Sequence, residues 1–179
     1  MSDVTIDGKP PMPPDKAKEI ILSEGLKATR KALLLTEGYW KANLIPGVRG
    51  YRTGHYARSI TSEAHREGDR IVGAVGSNLP YARYLEHGTG LHGPLHHWIV
   101  PHPPHRFMRW PEPGNPAFTL AGRQRSGRAG RGARWVFARR TRGMMARHYG
   151  RDAALKARPF AERFFREAGE AAARRIAKG

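Results

Sequence analysis

The sequence has 179 residues, of which 39% are hydrophobic; this fits one domain with a single core and excludes a wholly disordered chain. No apolar run reaches the roughly eighteen residues that a transmembrane helix needs, and the lack of cysteine excludes disulfides and thiolate sites. The formal net charge of +17 indicates either a polyanionic partner such as nucleic acid or a surface kept soluble by arginine.

The first half of the chain predicts an arm, a long helix, a hairpin and a short helix. Residues 1–14 are polar and proline-rich, which favours a flexible arm and does not fit a signal peptide. Residues 15–43 place apolar side chains at helical spacing, with Asp15 at the N-cap. Residues 59–65 and 70–76 predict strands joined by a turn at Gly68. Pro80 is expected to begin a short helix that ends at Gly88.

The second half alternates short apolar runs with proline- and glycine-rich stretches. Residues 98–100, 106–110 and 135–138 predict short strands, and a basic Arg/Gly loop occupies about residues 120–134. Pro159 is expected at the first position of a C-terminal helix, whose apolar side chains recur every four residues from Phe160.

These elements predict an α+β fold. In it, a small antiparallel sheet is packed by a long N-terminal helix and a C-terminal helix, and the loops are long and irregular. The expected domain organisation is a flexible arm, residues 1–14, followed by a single domain, residues 15–179.

The candidate catalytic and metal-binding patterns are weak. Six of the nine histidines fall between His87 and His105, and His92 and His96 have the i,i+4 spacing of a helical zinc site. Gly93 and Pro94 lie between them and oppose a helix, so we expect no metal site. No nucleophile elbow or phosphate-binding loop occurs. We therefore expect no enzyme activity, no catalytic residue and no cofactor.

A basic stretch dominates residues 113–151, where no acidic residue occurs. Such a stretch is typical of sequence-independent phosphate contacts, and equally of a loop that meets acidic patches on neighbouring protein subunits. The residues expected to contact DNA or a protein partner are Arg123, Arg125, Arg128, Arg131, Arg134, Arg139, Arg140 and Arg142.

Three segments, taken together, resemble the tail-completion or head–tail joining (neck) family of long-tailed double-stranded DNA bacteriophages. Residues 51–60 are similar to its TGxLxxSI element, residues 75–90 to its VGsnxxYAxyxEfGTG signature, and residues 157–160 to its ARPFxxPA element. The resemblance marks these positions as subunit-interface or family-motif residues: Thr53, Gly54, Ser59, Tyr81, Tyr84, Glu86, Gly88, Thr89, Gly90, Arg158, Pro159 and Phe160.

The resemblance implies a non-enzymatic virion protein of the phage neck or upper tail, which assembles as a ring, completes the tail and joins it to the head. Its implied partners are copies of itself, in six-fold symmetry or twelve-fold at the connector. Tail terminator, tail tube or head-connector proteins and packaged double-stranded DNA are further expected partners, and a membrane is not. The expected location is the virion, after synthesis in the host cytoplasm. The alternative hypothesis is a basic nucleic-acid-binding protein, which the net charge favours.

Overall fold

A computed structural model describes residues 12–44, 54–111 and 134–178. The predictions for residues 1–11, for Thr53 and for most of the Arg/Gly loop lie outside these ranges. The chain divides into two compact units. The helical unit comprises Met1–Ala82 and His148–Gly179, and the arginine-rich unit comprises Arg83–Arg147. The organisation of residues 15–179 as one domain stays a prediction.

The long N-terminal helix, α1, spans Pro14–Asn43. The prediction that Asp15 is the N-cap is wrong, because Pro13 occupies that position and Pro14 is the first helical residue. A proline is tolerated there, since the first amide of a helix has no intrahelical partner. Asp15 lies instead in the first turn, where its carboxylate is favoured by the helix dipole. A short helix, α2, follows at His55–Ser59.

An antiparallel hairpin packs against α1. Its strands are β1, Ile60–Glu67, and β2, Arg70–Ser77, with the register running from Ile60 opposite Ser77 to Glu67 opposite Arg70. The predicted turn is confirmed, and Gly68 adopts a positive φ of 60° in it. The hydroxyl of Ser62 on β1 donates a 2.5 Å hydrogen bond to the Glu37 carboxylate of α1. These contacts place the hairpin along one side of the helix.

The C-terminal helix, α4, spans Tyr149–Lys178. The prediction that Pro159 begins this helix is wrong, because Pro159 lies inside it. An interior proline removes one hydrogen bond and crowds the preceding turn. The helix nevertheless continues, since buried Ala153 and Ala157 on its N-terminal side provide tertiary packing that offsets this local cost.

The two long helices form an antiparallel pair in the helical unit. The side-chain amide of Asn43, at the end of α1, donates to the carbonyl of Tyr149 at the start of α4 (3.2 Å). At the other end, Arg175 donates to the carboxylate of Glu24 (2.6 Å). The buried positions of α4 are all small, which permits a close approach of the helices: Gly150, Ala153, Ala157 and Ala172. The α+β prediction, with long helices and a small antiparallel sheet, is confirmed.

The described part of the arginine-rich unit, residues 83–111 and 134–147, consists mainly of loops and one short β-ribbon. The helix α3, Ala82–His87, leads into it, and a 3₁₀ turn follows at Gly90–His92. Strands β3, Met108–Pro111, and β4, Trp135–Ala138, pair antiparallel. The strand predicted at residues 98–100 is reduced to an isolated bridge between Ile99 and Thr141.

Candidate functional site

The GTG part of the family motif forms a backbone clamp inside the arginine-rich unit. The amide of Thr89 donates to the carbonyl of Met144 (2.8 Å), and the amide of Leu91 donates to the carbonyl of Arg142 (2.8 Å). The Thr89 hydroxyl accepts a hydrogen bond from the amide of Met144 (2.9 Å). The motif therefore holds two segments together that are more than fifty residues apart in the chain.

The clamp requires glycine because backbone approaches backbone at these positions. A Cβ at Gly90 would lie 2.3 Å from the carbonyl oxygen of Arg142, and a Cβ at Gly143 would lie 2.1 Å from that of Thr89. Gly90 also has a positive φ of 64°. The sequence analysis missed Gly143, since its partner is distant in the chain and no local pattern marks it. The motif glycines thus have a structural role that sterics explain.

A mainly apolar pocket of about 610 Å³ lies beside the clamp. Its lining includes Tyr84, His87, Thr89, Leu95, His97 and Ile99. The guanidinium of Arg83 lies 4.9 Å from the centre of the Tyr84 ring and donates to its hydroxyl (3.0 Å). Glu86, on the same helix, is partly buried. Tyr84 is therefore both a wall of the pocket and a platform for an arginine.

The described part of the TGxLxxSI element, residues 54–60, lies in the helical unit, where it contains α2 and the first residue of β1. Gly54 precedes α2 with a left-handed backbone (φ 64°). The hydroxyl of Ser59 hydrogen-bonds that of Ser77 across the hairpin at 2.7 Å. The rings of Tyr56 and Tyr81 are 6.1 Å apart, and the Tyr81 side chain is partly exposed. Gly54 and Ser59 therefore organise the entry to the sheet, and Tyr81 presents surface to solvent.

The ARPF element lies within α4, with Ala157 buried and the three residues that follow it exposed. Arg158 donates to the carboxylate of Glu162 (3.0 Å), and Pro159 is exposed. Phe160, from which the apolar repeat of the helix begins, is 38% exposed, and its ring centre lies 6.4 Å from that of Tyr39 on α1. The element therefore lies in the middle of α4 rather than at its start.

The predicted DNA- or partner-contacting arginines divide between described and undescribed residues. Arg123, Arg125, Arg128 and Arg131 lie outside the described ranges. Arg134, Arg139, Arg140 and Arg142 are all exposed. Arg139 and Arg140 lie over aromatic rings, at 5.4 Å from the centre of Phe107 and 4.4 Å from that of Trp98 respectively.

The histidine-rich segment does not assemble a metal site in the part of the chain that the structure describes. There, His, Asp and Glu side chains nowhere gather in groups of three or more that suit a metal ion. His92 ends a 3₁₀ turn, and His96 lies outside any helix with a positive φ of 48°, so the two side chains do not share a helical face. Within the described ranges, no helix is both long and apolar enough to cross a membrane.

Carboxylates of α1 stabilise the helical unit electrostatically. The pKa of Glu37 is held below its ordinary value of 4.5 by hydrogen bonds from Lys41 and Ser62. Hydrogen bonds from Lys27 and Arg175 likewise lower the pKa of Glu24. Each carboxylate bonds one residue of α1 and one residue of a second element, which is β1 for Glu37 and α4 for Glu24. These contacts therefore hold the elements of the helical unit together.

The N-terminal part of the chain matches the model of a known protein family. Residues 15–88 match the model of the HK97-gp10-like family, described as "Bacteriophage HK97-gp10, putative tail-component". No curated protein and no solved structure matches the chain. The matched range contains nearly all of α1, the hairpin, α3 and the motif residues up to Gly88. Because the family is described as a tail component, the match favours a structural role in the virion. The resemblance to a phage tail protein family is confirmed, and the chain is similar over residues 15–88 to a family of bacteriophage tail components.

Proposed function

We propose that this protein is a structural component of the phage neck or upper tail, which assembles as a homo-oligomeric ring, completes the tail and joins it to the head. The match of residues 15–88 to a tail-component family supports the tail assignment. The observation that carries ring assembly is the presence of two separate apolar surfaces on the helical unit.

The first surface is a groove between α1 and α4, which we call the Ile21 groove. It has a volume of about 420 Å³ and is flanked by Ile21 and Phe165, which are 54% and 48% exposed. Its floor is made mostly of small side chains: Gly25, Ala168, Gly169, Ala172 and Ala173, with Ile176 completing the lining. Large exposed apolar side chains around a concave surface are typical of an interaction site.

The second surface surrounds Leu34, which is 63% exposed, and we call it the Leu34 patch. Leu34 lines a shallow pocket of about 300 Å³ with Leu33 and Ala64, and the polar residues Arg30, Ser62 and Glu63 complete its lining. Ile21 and Leu34 are thirteen residues apart, which separates them by about 140° around a helix that turns about 100° per residue. The two surfaces therefore face different directions.

Two different complementary surfaces are what a head-to-tail interface needs. In such an interface the groove of one copy receives the patch of the next, and a suitable rotation between copies closes a ring. The distribution of large apolar side chains supports this arrangement. Among the described residues, Ile60 is the largest fully buried side chain, whereas Ile21, Leu34 and Phe165 are exposed. Assembly would bury apolar surface that the single chain exposes.

The location is tested by cryo-electron microscopy of purified virions. We expect density for residues 81–90 in a symmetric ring at the neck or the top of the tail. Absence of the chain from the particle would refute the proposal.

The ring contact is tested by cross-linking, since the chain contains no cysteine of its own. A chain carrying both Ile21→Cys and Leu34→Cys, incorporated into particles and treated with a short bis-maleimide, should yield a ladder of oligomers that ends at the ring number. Leu155 is similarly exposed on α4 but lines neither the Leu34 patch nor the groove, so the pair Ile21→Cys with Leu155→Cys is the control. Equal cross-linking of both pairs, or none of either, would contradict the head-to-tail contact.

The alternative function is a basic nucleic-acid-binding protein that acts outside the virion. The net charge of +17 favours it. The two functions are separated by the same virion structure, because a binding protein of this kind has no fixed place in the particle.

A further inference from the structure

The β-ribbon of the arginine-rich unit exposes the face that carries its aromatic and cationic side chains. Side chains alternate between the two faces of a strand, and register partners share a face. Arg109 is paired with Phe137, and Trp135 lies two residues before Phe137, so these three side chains share one face of the ribbon. Phe107 and Arg139 lie just outside the paired strands and contact each other. We call these five residues the ribbon face. Phe107 and Phe137 are 49% and 64% exposed, whereas residues 108, 110, 136 and 138 on the opposite face are all partly buried.

Arginine and aromatic side chains stack on this face. The guanidinium of Arg109 lies 5.2 Å from the ring centre of Trp135, and that of Arg139 lies 5.4 Å from the ring centre of Phe107. Arg140 makes a third such contact, 4.4 Å from Trp98. Stacking occupies the flat face of the guanidinium and leaves its N–H edge available, which is the edge that binds phosphate oxygens in a bidentate manner.

The charge of the arginine-rich unit cannot be neutralised within that unit. Arg83–Arg147 contains twelve arginines and only two acidic residues, Glu86 and Glu112. The helical unit, by contrast, pairs exposed arginines with carboxylates, as in Arg163 with Glu167 and Arg174 with Glu170. An excess of positive charge on this scale favours a polyanion as the partner.

We propose that the ribbon face, together with Arg140, binds the phosphate backbone of DNA without reading its sequence. Three guanidiniums held by aromatic rings supply the phosphate contacts. An acidic protein surface would be a weaker match, because the unit offers ten more positive than negative charges and DNA carries one phosphate charge per about 1.7 Å of duplex. The expected binding mode follows from these contacts: Trp135, Phe107 and Trp98 each have an arginine guanidinium over one ring face, which favours phosphate contacts over stacking of unpaired bases on these three rings.

DNA binding by these residues does not depend on ring assembly. Arg139 and Arg140 were already expected to contact DNA or a protein partner, and the structure adds Arg109 of β3, which no sequence pattern marked. A purified, unassembled chain should therefore bind DNA.

The test is a fluorescence anisotropy titration of the full chain against labelled random-sequence duplexes of about 30 base pairs, at several salt concentrations. The test variant combines Arg109→Gln, Arg139→Gln and Arg140→Gln. The control combines Arg151→Gln, Arg163→Gln and Arg174→Gln, which remove the same charge from exposed arginines of α4 that lie within 4.0 Å of a carboxylate. Circular dichroism verifies that both variants are folded.

We expect the ribbon variant to bind at least tenfold more weakly than the control at about 100 mM salt. Its plot of log K against log salt should be shallower by about 2 to 3, because each lost phosphate contact removes about 0.9 from the slope. Equal weakening by both variants would show a general charge effect and overturn the proposal, as would the absence of binding by the unaltered chain.

A second arm compares the duplex with a single strand of the same length. Phosphate contacts predict duplex binding at least as tight as single-strand binding. A strong preference for the single strand would overturn the backbone mode in favour of base stacking. Failure of this proposal leaves the ring proposal standing, since the cross-linking experiment uses the helical unit and involves no DNA.

Discussion

Replacing Gly90 by alanine tests the backbone clamp that the GTG motif builds. Two physical costs arise at this position. Gly90 has a φ of 64°, a left-handed conformation that costs an alanine about 1 to 2 kcal/mol. The new Cβ would also lie 2.3 Å from the carbonyl oxygen of Arg142, and that oxygen accepts the hydrogen bond of Leu91.

A matched replacement in the hairpin turn separates the steric cost of the new Cβ from the cost of the left-handed backbone. Gly68 has nearly the same φ, 60°, but a Cβ there would meet nothing within 4 Å. Gly68→Ala should therefore cost only about 1 to 2 kcal/mol of conformational free energy. Gly90→Ala adds a backbone clash of the overpacking kind, about 1 to 3 kcal/mol, so its total is about 2 to 5 kcal/mol.

The assay is urea unfolding followed by tryptophan fluorescence and by circular dichroism. Three of the four tryptophans, Trp98, Trp110 and Trp135, lie in the arginine-rich unit. A Trp40→Phe background therefore makes fluorescence report on that unit, while circular dichroism follows the long helices. Coincidence of the two transitions shows whether the units unfold together.

The comparison of the two alanine variants decides the interpretation. A Gly90→Ala variant that loses no more unfolding free energy than Gly68→Ala would refute the close approach of the GTG segment to residues 142–144. A larger loss confined to the fluorescence signal would assign the damage to the clamp.

Three further outcomes follow from the helical unit. Gly150→Ala should lower the unfolding free energy by about 1 to 3 kcal/mol, because the new Cβ would lie 2.6 Å from the Trp40 ring and this clash outweighs alanine's helix preference. A variant that is more stable in thermal melts would contradict this packing. Phe164→Ala should lower the unfolding free energy by about 2 kcal/mol, because the side chain is only partly buried; a fully buried phenylalanine would lose about 3 to 5 kcal/mol. Urea unfolding measures this loss, and a value under about 0.5 kcal/mol would place the ring outside the core. The hydrogen bond from Lys41 is the chief cause of the lowered pKa of Glu37, so its stabilising effect is complete above the ordinary pKa of 4.5 and is lost as the pH falls through the lower pKa of the folded state. Glu37→Gln should therefore make the loss of stability in acid shallower, as measured by urea midpoints from pH 6 to pH 3. An unchanged pH profile would argue against the contact.

Elements with a local cause could be predicted from the sequence. The extent of α1 follows from apolar spacing and the hairpin from its turn at Gly68, and both predictions lie within a few residues of the structure. The end of α3 at His87 likewise follows from Gly88, whose positive φ of 76° suits glycine. The family resemblance rested on motif residues in these same segments.

Features that depend on distant partners were decided by the tertiary structure. Pro159 is locally a helix-starting residue, and only the packing of Ala153 and Ala157 carries α4 through it from Tyr149. Gly143 becomes essential because Thr89, far away in the chain, lies against it. In the same way, the sequence alone determined that this region is rich in arginine, whereas the pairing of β3 with β4 decided that Arg109 shares a face with Trp135 and Phe137. The physical reason is that periodicity and turn chemistry act over a few residues, while close approach and register depend on where the whole chain returns.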